Sequence, residues 1–268
     1  MSGADHHRPR KRFGQNFLVD DAVIARIVAA IAPRPSEHII EIGPGRQAIT
    51  GPLIDSGARV TVVEIDRDLA ERLRTLRPEL EVVEADALSV DFAALAGGAP
   101  YRLVGNLPYN ISTPLLFHLL AQAPPPQDMH FMLQREVVQR MVAGAGDRAQ
   151  GRLGLMCQNR ARLEWLFDVS PQAFEPAPRV DSAIVRVHPR PAPLVPEALE
   201  STFDEVVRLA FAKRRKTLRN SLKDRLDAPA IEAAGVDPSA RPETLGFDAF
   251  LALARQAAYD GEESRGSP

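Results

Sequence analysis

The chain has very little of several residue types on which other protein classes depend. It contains one cysteine, one tryptophan and three tyrosines among 268 residues. The single cysteine, Cys157, excludes an internal disulfide and any cysteine-clustered metal site, and its apolar neighbours favour a packed core thiol. The six histidines show no ligand-like spacing, so no metal is expected.

Long apolar runs are also missing. No stretch approaches the ~20 residues that a membrane-spanning helix requires, and the basic N-terminus has no apolar segment behind it. We therefore expect a cytoplasmic globular protein with no membrane partner, and a monomer. A hydrophobic content of 45% over this length is sufficient for one large domain with a small appendage.

Neither sign of charge dominates, since 33 basic and 35 acidic side chains give a formal net charge of −2. This balance excludes a uniformly basic coat, so any contact with nucleic acid must be local. Two basic clusters are present: Arg8, Arg10, Lys11 and Arg12, and further on Lys213, Arg214, Arg215, Lys216 and Arg219. The second cluster is the better candidate for binding phosphates, and the alternative reading is a solvated helix face.

Apolar runs typical of strands alternate with helical patterns up to residue 143. The predicted strands are 38–42, 59–64, 80–84, 101–105 and 129–134, and the predicted helices are 21–32, 48–55, 67–76, 92–96, 114–120 and 135–143. Strands regularly separated by helices imply right-handed crossovers and an α/β fold with a parallel, doubly wound sheet. Strands at 162–169 and 183–189 are expected to complete seven strands as an antiparallel edge.

A proline-rich segment at 189–196 breaks both periodicities and indicates a linker. The chain after it is expected to be helical throughout, with a last helix at 243–258. We therefore predict two domains, residues 1–190 and residues 191–268. The polar tail from Asp260 is expected to be disordered.

Side chains suited to a nucleoside cofactor fall at successive strand ends. Gly43 and Gly45 in EIGPG close the first of these strands and allow a ligand to approach the backbone. With Ala48 the pattern is G-x-G-x-x-A, which also admits a dinucleotide. Glu64 ends the second strand, where an acid binds ribose hydroxyls, so NAD and S-adenosylmethionine both satisfy the pair.

The later strands separate these two cofactors. Asp86 follows the third strand and is placed to accept a hydrogen bond from an adenine amine, and Asn106 ends the fourth. The ordered set of two glycines, Glu64, Asp86 and Asn106 fits an adenosylmethionine pocket beside a target amine. No feature resembles a hydride-transfer site.

Asn106, Leu107, Pro108 and Tyr109 supply what methylation of an exocyclic amine needs. The lone pair of adenine N6 is delocalised into the ring, and the Asn106 amide oxygen and Leu107 backbone oxygen can accept both N6 hydrogens and withdraw it from conjugation. Pro108 has no N–H and favours an extended Leu107, which leaves that carbonyl exposed. Tyr109 would stack on the base. A strand followed by a turn is the alternative reading of these four letters alone.

Motifs along most of the chain resemble those of the bacterial small-subunit ribosomal RNA adenine dimethyltransferases. They are GQNFLVD (14–20), EIGPG (41–45), NLPYNISTPLL (106–116), MLQREV (132–137), GRL (151–153), FEPAPRVDS (174–182) and RRKTLRNSL (214–222). The resemblance implies a class I, Rossmann-like methyltransferase domain over 1–190 and a helical RNA-binding domain over 191–268.

The implied activity is methyl transfer from S-adenosylmethionine to N6 of two adjacent adenosines near the 3′ end of 16S rRNA, in the immature 30S subunit, together with a role in its biogenesis. By the same resemblance Asn16 and Leu18 would join the cofactor pocket, and Phe174 would cover the second face of the target base. Arg46 and Gln47 stand where the family often has small residues, so packing of the glycine loop is expected to differ.

Three alternatives stay open at this point. The same chemistry could serve DNA or 23S rRNA. An assembly factor, whose binding to the immature subunit matters more than methylation, is a reading of another class. A dinucleotide oxidoreductase would bind NAD tightly and would not bind adenosylmethionine.

Overall fold

The computed structural model describes residues 16–213 and 215–266. These residues form two compact units, one comprising 16–138 and 164–189 and the other 139–163, 190–213 and 215–266. The sequence-based division at residue 190 placed 139–163 in the first domain, whereas in the structure they belong with the C-terminal helices.

The strands of the described chain follow the predicted positions closely. They are β1 (Phe17–Leu18), β2 (His38–Ile42), β3 (Arg59–Glu64), β4 (Glu81–Glu84), β5 (Tyr101–Asn106), β6 (Met129–Gln134), β7 (Ala161–Val169), β8 (Phe174–Glu175) and β9 (Ser182–Pro189). Seven of them form one sheet in the order β4-β3-β2-β5-β6-β9-β7.

The sheet is parallel from β4 to β6 and becomes antiparallel where β9 pairs with β6. All five residues of β2, HIIEI, are buried, as expected for a central strand covered on both faces. The strand order reverses between β2 and β5, which is where a doubly wound sheet opens a crevice for ligands. The predicted α/β fold with a doubly wound seven-stranded sheet is confirmed.

The helices that connect these strands begin at identifiable caps. The helices are α1 (Asp21–Ile31), α2 (Thr50–Asp55), α3 (Arg67–Leu76), α4 (Phe92–Leu95), α5 (Ser112–Leu120), α6 (Arg135–Val142), α7 (Arg152–Arg160), α8 (Glu197–Phe211), α9 (Leu218–Ser221), α10 (Ala228–Ala233) and α11 (Phe247–Gly266). The Asp20 carboxylate accepts from two backbone N–H groups of α1, and Asp66 accepts from the N–H of Asp68 at the start of α3. None of these helices is long and apolar enough to cross a membrane.

The second unit has its own apolar core, formed by α7, α8 and the helices that follow. Leu155 of α7 is fully buried in the same cluster as Phe203 and Phe250, which explains why 139–163 belong to this unit. The prediction of helix throughout was wrong, because residues 212–213 and 215–217, between α8 and α9, are not helical; like charges three or four residues apart disfavour a continuous helix there. The expected disorder from Asp260 was also wrong as far as Gly266, and 267–268 lie outside the described residues.

A second, two-stranded sheet was not anticipated from the sequence. β1 and β8 pair antiparallel, with Phe17 opposite Glu175 and Leu18 opposite Phe174. The N–H of Val19 extends the pairing by donating to the Ala173 carbonyl at 2.8 Å. This small sheet holds the N-terminal segment against the first unit.

Candidate active site

One cavity lies at the carboxyl edge of the parallel sheet. It is lined by residues from four successive strand ends, among them Gly43, Glu64, Asp86 and Asn106. The carboxyl ends of parallel strands meet at one edge of a sheet, so four residues far apart in sequence come together. Gly45, Leu107, Pro108 and Tyr109 line the same cavity.

The N-terminal segment forms another wall of the cavity. Asn16, Phe17 and Leu18 line it, and β1 is held there by its pairing with β8. The Asn106 side chain ties this wall to the sheet, because its Nδ2 donates to the Asn16 backbone oxygen at 3.2 Å. A carbonyl oxygen can only accept, so this contact fixes the amide nitrogen towards Asn16 and directs Oδ1 away from it.

The glycine loop has the backbone that its sequence requires. Gly43 and Gly45 have φ angles of 67° and 54°, a left-handed region that glycine adopts without steric cost. Gly43 is fixed to β3 by an N–H bond to the Val63 carbonyl at 2.9 Å. A Cβ at Gly45 would lie 3.1 Å from the Phe17 ring. The absence of a side chain at Gly45 therefore also allows Phe17 of the N-terminal segment to pack against the glycine loop.

The two residues after these glycines differ in their environments. The Arg46 guanidinium lies 4.5 Å from the centre of the Phe17 ring and 3.4 Å from the Glu175 carboxylate, so it bridges the glycine loop and the small sheet. Gln47 has a φ of 66°, a conformation that is strained for a residue with a side chain. Arg46 lines the cavity, and the described residues that line it do not include Gln47.

The NLPY run leaves the end of β5 with its groups held by different parts of the sheet. The Leu107 N–H donates to the Met132 carbonyl at 3.2 Å, and its side chain is buried. Within the described chain no donor reaches the Leu107 carbonyl. The Tyr109 hydroxyl lies 2.6 Å from the Ser182 hydroxyl at the start of β9, and burial raises the pKa of Tyr109.

Three carboxyl groups line the cavity, and their surroundings differ. Glu64 is 5% exposed, and burial raises its pKa although the N–H groups of Asp66 and Gly45 stabilise the charged form. Asp86 is exposed and accepts from the Leu88 N–H at 3.0 Å. Glu41 is 2% exposed, and burial raises its pKa to about 8.

Among the predicted site residues in the described part of the first unit, Phe174 alone does not line this cavity. It is 4% exposed and packs in the hydrophobic core with Leu18 and Ala173. Tyr109 therefore lines the cavity, as predicted. Phe174 does not line it, because its side chain is buried in the core where β8 pairs with β1.

Several residues that contribute to the site were not predicted, among them Glu41, Ile65 and Ser182. The sequence prediction gives Glu41 no role beyond its place in the EIGPG motif, although a carboxyl inside an apolar strand is itself unusual. Ile65 lines the rim with 47% of its surface exposed, and its position directly after a strand-end acid was the available signal. Ser182, which anchors Tyr109, gave no signal beyond its place in the FEPAPRVDS motif.

The predicted basic cluster lies in the second unit. Lys213, Arg215, Lys216 and Arg219 are exposed or partly exposed, in the turn after α8 and at the start of α9. Arg214 lies outside the described residues, as do Arg8, Arg10, Lys11 and Arg12. The described residues contain no group of three or more His, Cys, Asp or Glu side chains that could hold a metal ion.

The chain matches a known protein family over most of its length. Residues 6–258 match the family described as ribosomal RNA adenine dimethylase. The chain is 51% identical to ribosomal RNA small subunit methyltransferase A of Marinobacter nauticus, covering 98% of this chain and 96% of that protein. It is 53% identical to the protein of the same name from Pseudomonas putida, covering 96% and 98%.

Two solved structures resemble the fold over nearly the whole chain. The 23S rRNA methyltransferase ErmE superposes with a TM-score of 0.71 at 30% identity, covering 91% of this chain and all of that one. A dimethyladenosine transferase from Plasmodium falciparum has a TM-score of 0.77 at 23% identity, covering 91% and 98%, and supports the fold alone. The chain belongs to the ribosomal RNA adenine dimethylase family.

Proposed function

We propose that this protein is an S-adenosylmethionine-dependent methyltransferase that converts two adjacent adenosines near the 3′ end of 16S rRNA to N6,N6-dimethyladenosine. One observation carries the proposal. Asn106, Leu107 and Tyr109 line the same cavity as the glycine loop and Glu64. A target amine and a nucleoside cofactor can therefore share one site.

The amine is activated by hydrogen bonding. Asn106 Oδ1, directed away from Asn16 by the bond of its Nδ2, and the Leu107 carbonyl are two acceptors for the two N6 hydrogens. With both hydrogens held, the lone pair is available for attack. The Tyr109 ring, fixed through Ser182, supplies a stacking face for an extruded base. The remaining catalysis is positioning.

The residues around the cavity fit adenosylmethionine. Gly43 and Gly45 present backbone without side chains, Glu64 is an acid suited to ribose hydroxyls, and Ile65 offers an apolar face at the rim. Asp86 would accept from the adenine amine, and Asn16 and Leu18 would close the pocket. When bound, the cofactor supplies a methyl group made electrophilic by its sulfonium, so the chain needs no metal and little general-base help.

The second methylation makes a demand on the same residues. After the first transfer one N6 hydrogen remains, so one of the two acceptors is released. The pocket beside Tyr109 must then readmit the monomethylated amine. Two acceptors at the N6 edge of the base would allow the remaining hydrogen to be held in either position during the second transfer.

Sequence identity to named relatives supports small-subunit rRNA as the substrate. Relatives 51% and 53% identical are named for the small subunit, whereas the 23S rRNA methyltransferase ErmE is 30% identical. We therefore place 23S rRNA and DNA as less favoured substrates of the same chemistry. Family membership leaves no observation in favour of a dinucleotide oxidoreductase.

The basic cluster would contact ribosomal RNA phosphates. Lys213, Arg215, Lys216 and Arg219 reach the surface, and Arg214 is their neighbour in sequence. These contacts carry affinity but little sequence information, so the shape of the immature 30S particle would select the target. Such binding in the cytoplasm would also serve subunit assembly, independently of methylation.

Incubation of the full chain with labelled adenosylmethionine tests the proposal. Immature 30S subunits, 50S subunits and DNA are supplied separately, and the nucleosides are then analysed. We expect labelled N6,N6-dimethyladenosine from 30S alone. Label in 50S or DNA would redirect the substrate, and absence of label from all three would overturn the proposal.

A further inference from the structure

Glu41 is a buried carboxyl in the wall of the cavity for which the proposed chemistry has no role. It is 2% exposed, and its Oε2 has no hydrogen-bond partner in the part of the chain that the structure describes. Buried polar atoms are nearly always paired, and an ionised carboxylate without a partner is very unfavourable. Glu41 is also one of the residues that line the cavity, so a ligand there would lie close to it.

The described elements packed around Glu41 give it no compensating charge. It stands opposite Val62 of β3 and Val104 of β5. The buried Thr50 hydroxyl of α2 lowers the pKa of the carboxyl, but by less than burial raises it. His130 of β6 also lines the cavity, and burial lowers its pKa to about 4, so it is uncharged at neutral pH.

The other charged groups around the cavity are mostly acidic. Glu64 ends β3 and Asp86 follows β4, and both line the cavity, while Asp66, the N-cap of α3, lies next to Glu64 and donates its N–H to it. Among the described residues that line the cavity, the permanently charged cation is Arg46, whose guanidinium is paired with Glu175. A positively charged ligand would therefore enter a cavity that has carboxyl groups on several walls.

We propose that Glu41 holds a proton while the cavity is empty and releases it to solvent when a positively charged ligand binds, so that the cavity favours the cationic methyl donor over its uncharged product. This inference rests on the proposed function. Adenosylmethionine carries a sulfonium, an ammonium and a carboxylate, whereas adenosylhomocysteine lacks the sulfonium charge. When Glu41 releases its proton, the negative carboxylate compensates the positive sulfonium, which only adenosylmethionine carries. Transfer of the methyl group removes the sulfonium charge, so the ionised carboxylate is then no longer compensated.

The direction of the resulting pH dependence follows from linkage. Burial, to which the charge of Glu64 adds, raises the pKa of Glu41 to about 8 in the absence of ligand. Below that pH the protein must lose a proton to bind the cation at full strength. The Kd of adenosylmethionine should then fall as pH rises, by at most about tenfold per pH unit, and level off above about pH 8.

Titration calorimetry on the full chain tests this. Adenosylmethionine and adenosylhomocysteine are each titrated between about pH 6 and pH 9, in pairs of buffers that differ in ionisation enthalpy, which yields the protons released. We expect adenosylmethionine to release up to about one proton more than adenosylhomocysteine. The amino-acid groups are common to both ligands, so their own titration cancels in the ratio of the two Kd values.

Glu41→Gln and Glu84→Gln are the matched variants. A glutamine side chain resembles the protonated carboxyl in size, so Glu41→Gln should fold, and it should lose both the extra proton and the change of the Kd ratio with pH. Glu84 is an exposed strand-end acid paired with Arg74, and its variant should behave like the wild type. A thermal melt without ligand checks that each variant is folded.

Every outcome decides the inference. Equal proton release for the two ligands in the wild type would overturn it, even if Glu41→Gln failed to fold. A pH-dependent Kd ratio that persists in Glu41→Gln would also overturn it, while leaving the proposed function intact. No binding of adenosylmethionine at any pH would overturn the proposed function, and this inference with it.

Discussion

The Tyr109 hydroxyl lies 2.6 Å from the Ser182 hydroxyl, and this contact joins the residue proposed to stack on the target base to the first residue of β9. Ser182 is fully buried and stands opposite Gln134 of β6. The orientation of the aromatic ring is thus set by the antiparallel part of the sheet. The NLPY run and the FEPAPRVDS motif meet at this hydrogen bond.

Ser182→Ala should lower methyl transfer through the orientation of Tyr109. Loss of one hydrogen bond costs about 1 kcal/mol, which corresponds to roughly fivefold in rate. Tyr109→Phe should show a similar loss, and Tyr109→Ala a larger one, because base stacking is worth roughly 1–3 kcal/mol. Single-turnover rates on 30S subunits measure each effect. Equal rates for Phe and Ala at this position would exclude a stacking role.

Asn106→Ala should retain binding to the 30S subunit and lose methyl transfer by roughly 100-fold, the size seen when one aligned polar group is removed from an active site. Asn106→Asp is the informative companion. Its carboxylate would face the Asn16 carbonyl, which now accepts from Nδ2 at 3.2 Å, and should therefore also weaken cofactor binding. Near wild-type transfer by Asn106→Ala would disprove the amide role.

Gln47→Gly should stabilise the chain, because φ at this position is 66°. A left-handed conformation costs a residue with a side chain roughly 1–2 kcal/mol, while the greater freedom of glycine in the unfolded chain offsets about 0.4–1 kcal/mol. Gln47→Ala retains the strain and serves as the control. Thermal or urea unfolding measures the difference. A glycine variant no more stable than the alanine variant would show that the loop holds Gln47 by other contacts.

Glu41 should make the stability of the ligand-free chain depend on pH. Its pKa is about 8 in the folded chain and 4.5 is its ordinary value, so between these values the folded state holds a proton that the unfolded state has lost. Stability should therefore fall as pH rises through this window, by up to about 1.4 kcal/mol per pH unit. Relative to the wild type, Glu41→Gln should gain stability with rising pH in urea titrations. A constant difference would refute the shift.

Neutralising Arg214, Arg215 and Lys216 should weaken binding to the 30S particle and flatten its salt dependence. The slope should fall by about one unit for each phosphate that the variant no longer neutralises. Methylation at saturating particle should change little, because the described residues that line the cavity do not include Arg215 or Lys216. As a control that removes the same number of charges, the exposed Arg59, Arg67 and Arg72 of the first unit are neutralised. If this control changed the salt dependence of binding equally, the effect would come from net charge and not from contacts of the basic cluster.

Most of the sheet could be predicted because its signals are local. Alternating apolar runs located β2, β3 and β6 at their observed bounds, and the shared carboxyl edge of parallel strands placed Gly43 and Asn106 in one cavity. β1 and β8 could not be predicted, since two-residue strands carry no periodicity and their pairing is a tertiary contact. Burial of Phe174 follows from that pairing and was missed with it.

The raised pKa values of the buried carboxyl groups at the site could also not be predicted from the sequence. Glu41 and Glu64 are both buried, but backbone N–H groups stabilise the charged form of Glu64 and not that of Glu41, a difference that no residue spacing encodes. The domain division was misplaced for a related reason. Leu155 has the pattern of an ordinary apolar helix residue, and only the packing partners Phe203 and Phe250 assign it to the second unit.

The small sheet of β1 and β8 has a consequence for the order of events during synthesis. Asn16 and Leu18 leave the ribosome early, but the strand that holds them in place, Phe174–Glu175, emerges much later. Chains are made from the N-terminus onwards, so the wall that these residues form cannot close on a nascent chain until more than half of it has been translated. A ligand that needs this wall would meet only chains whose sheet is already nearly complete.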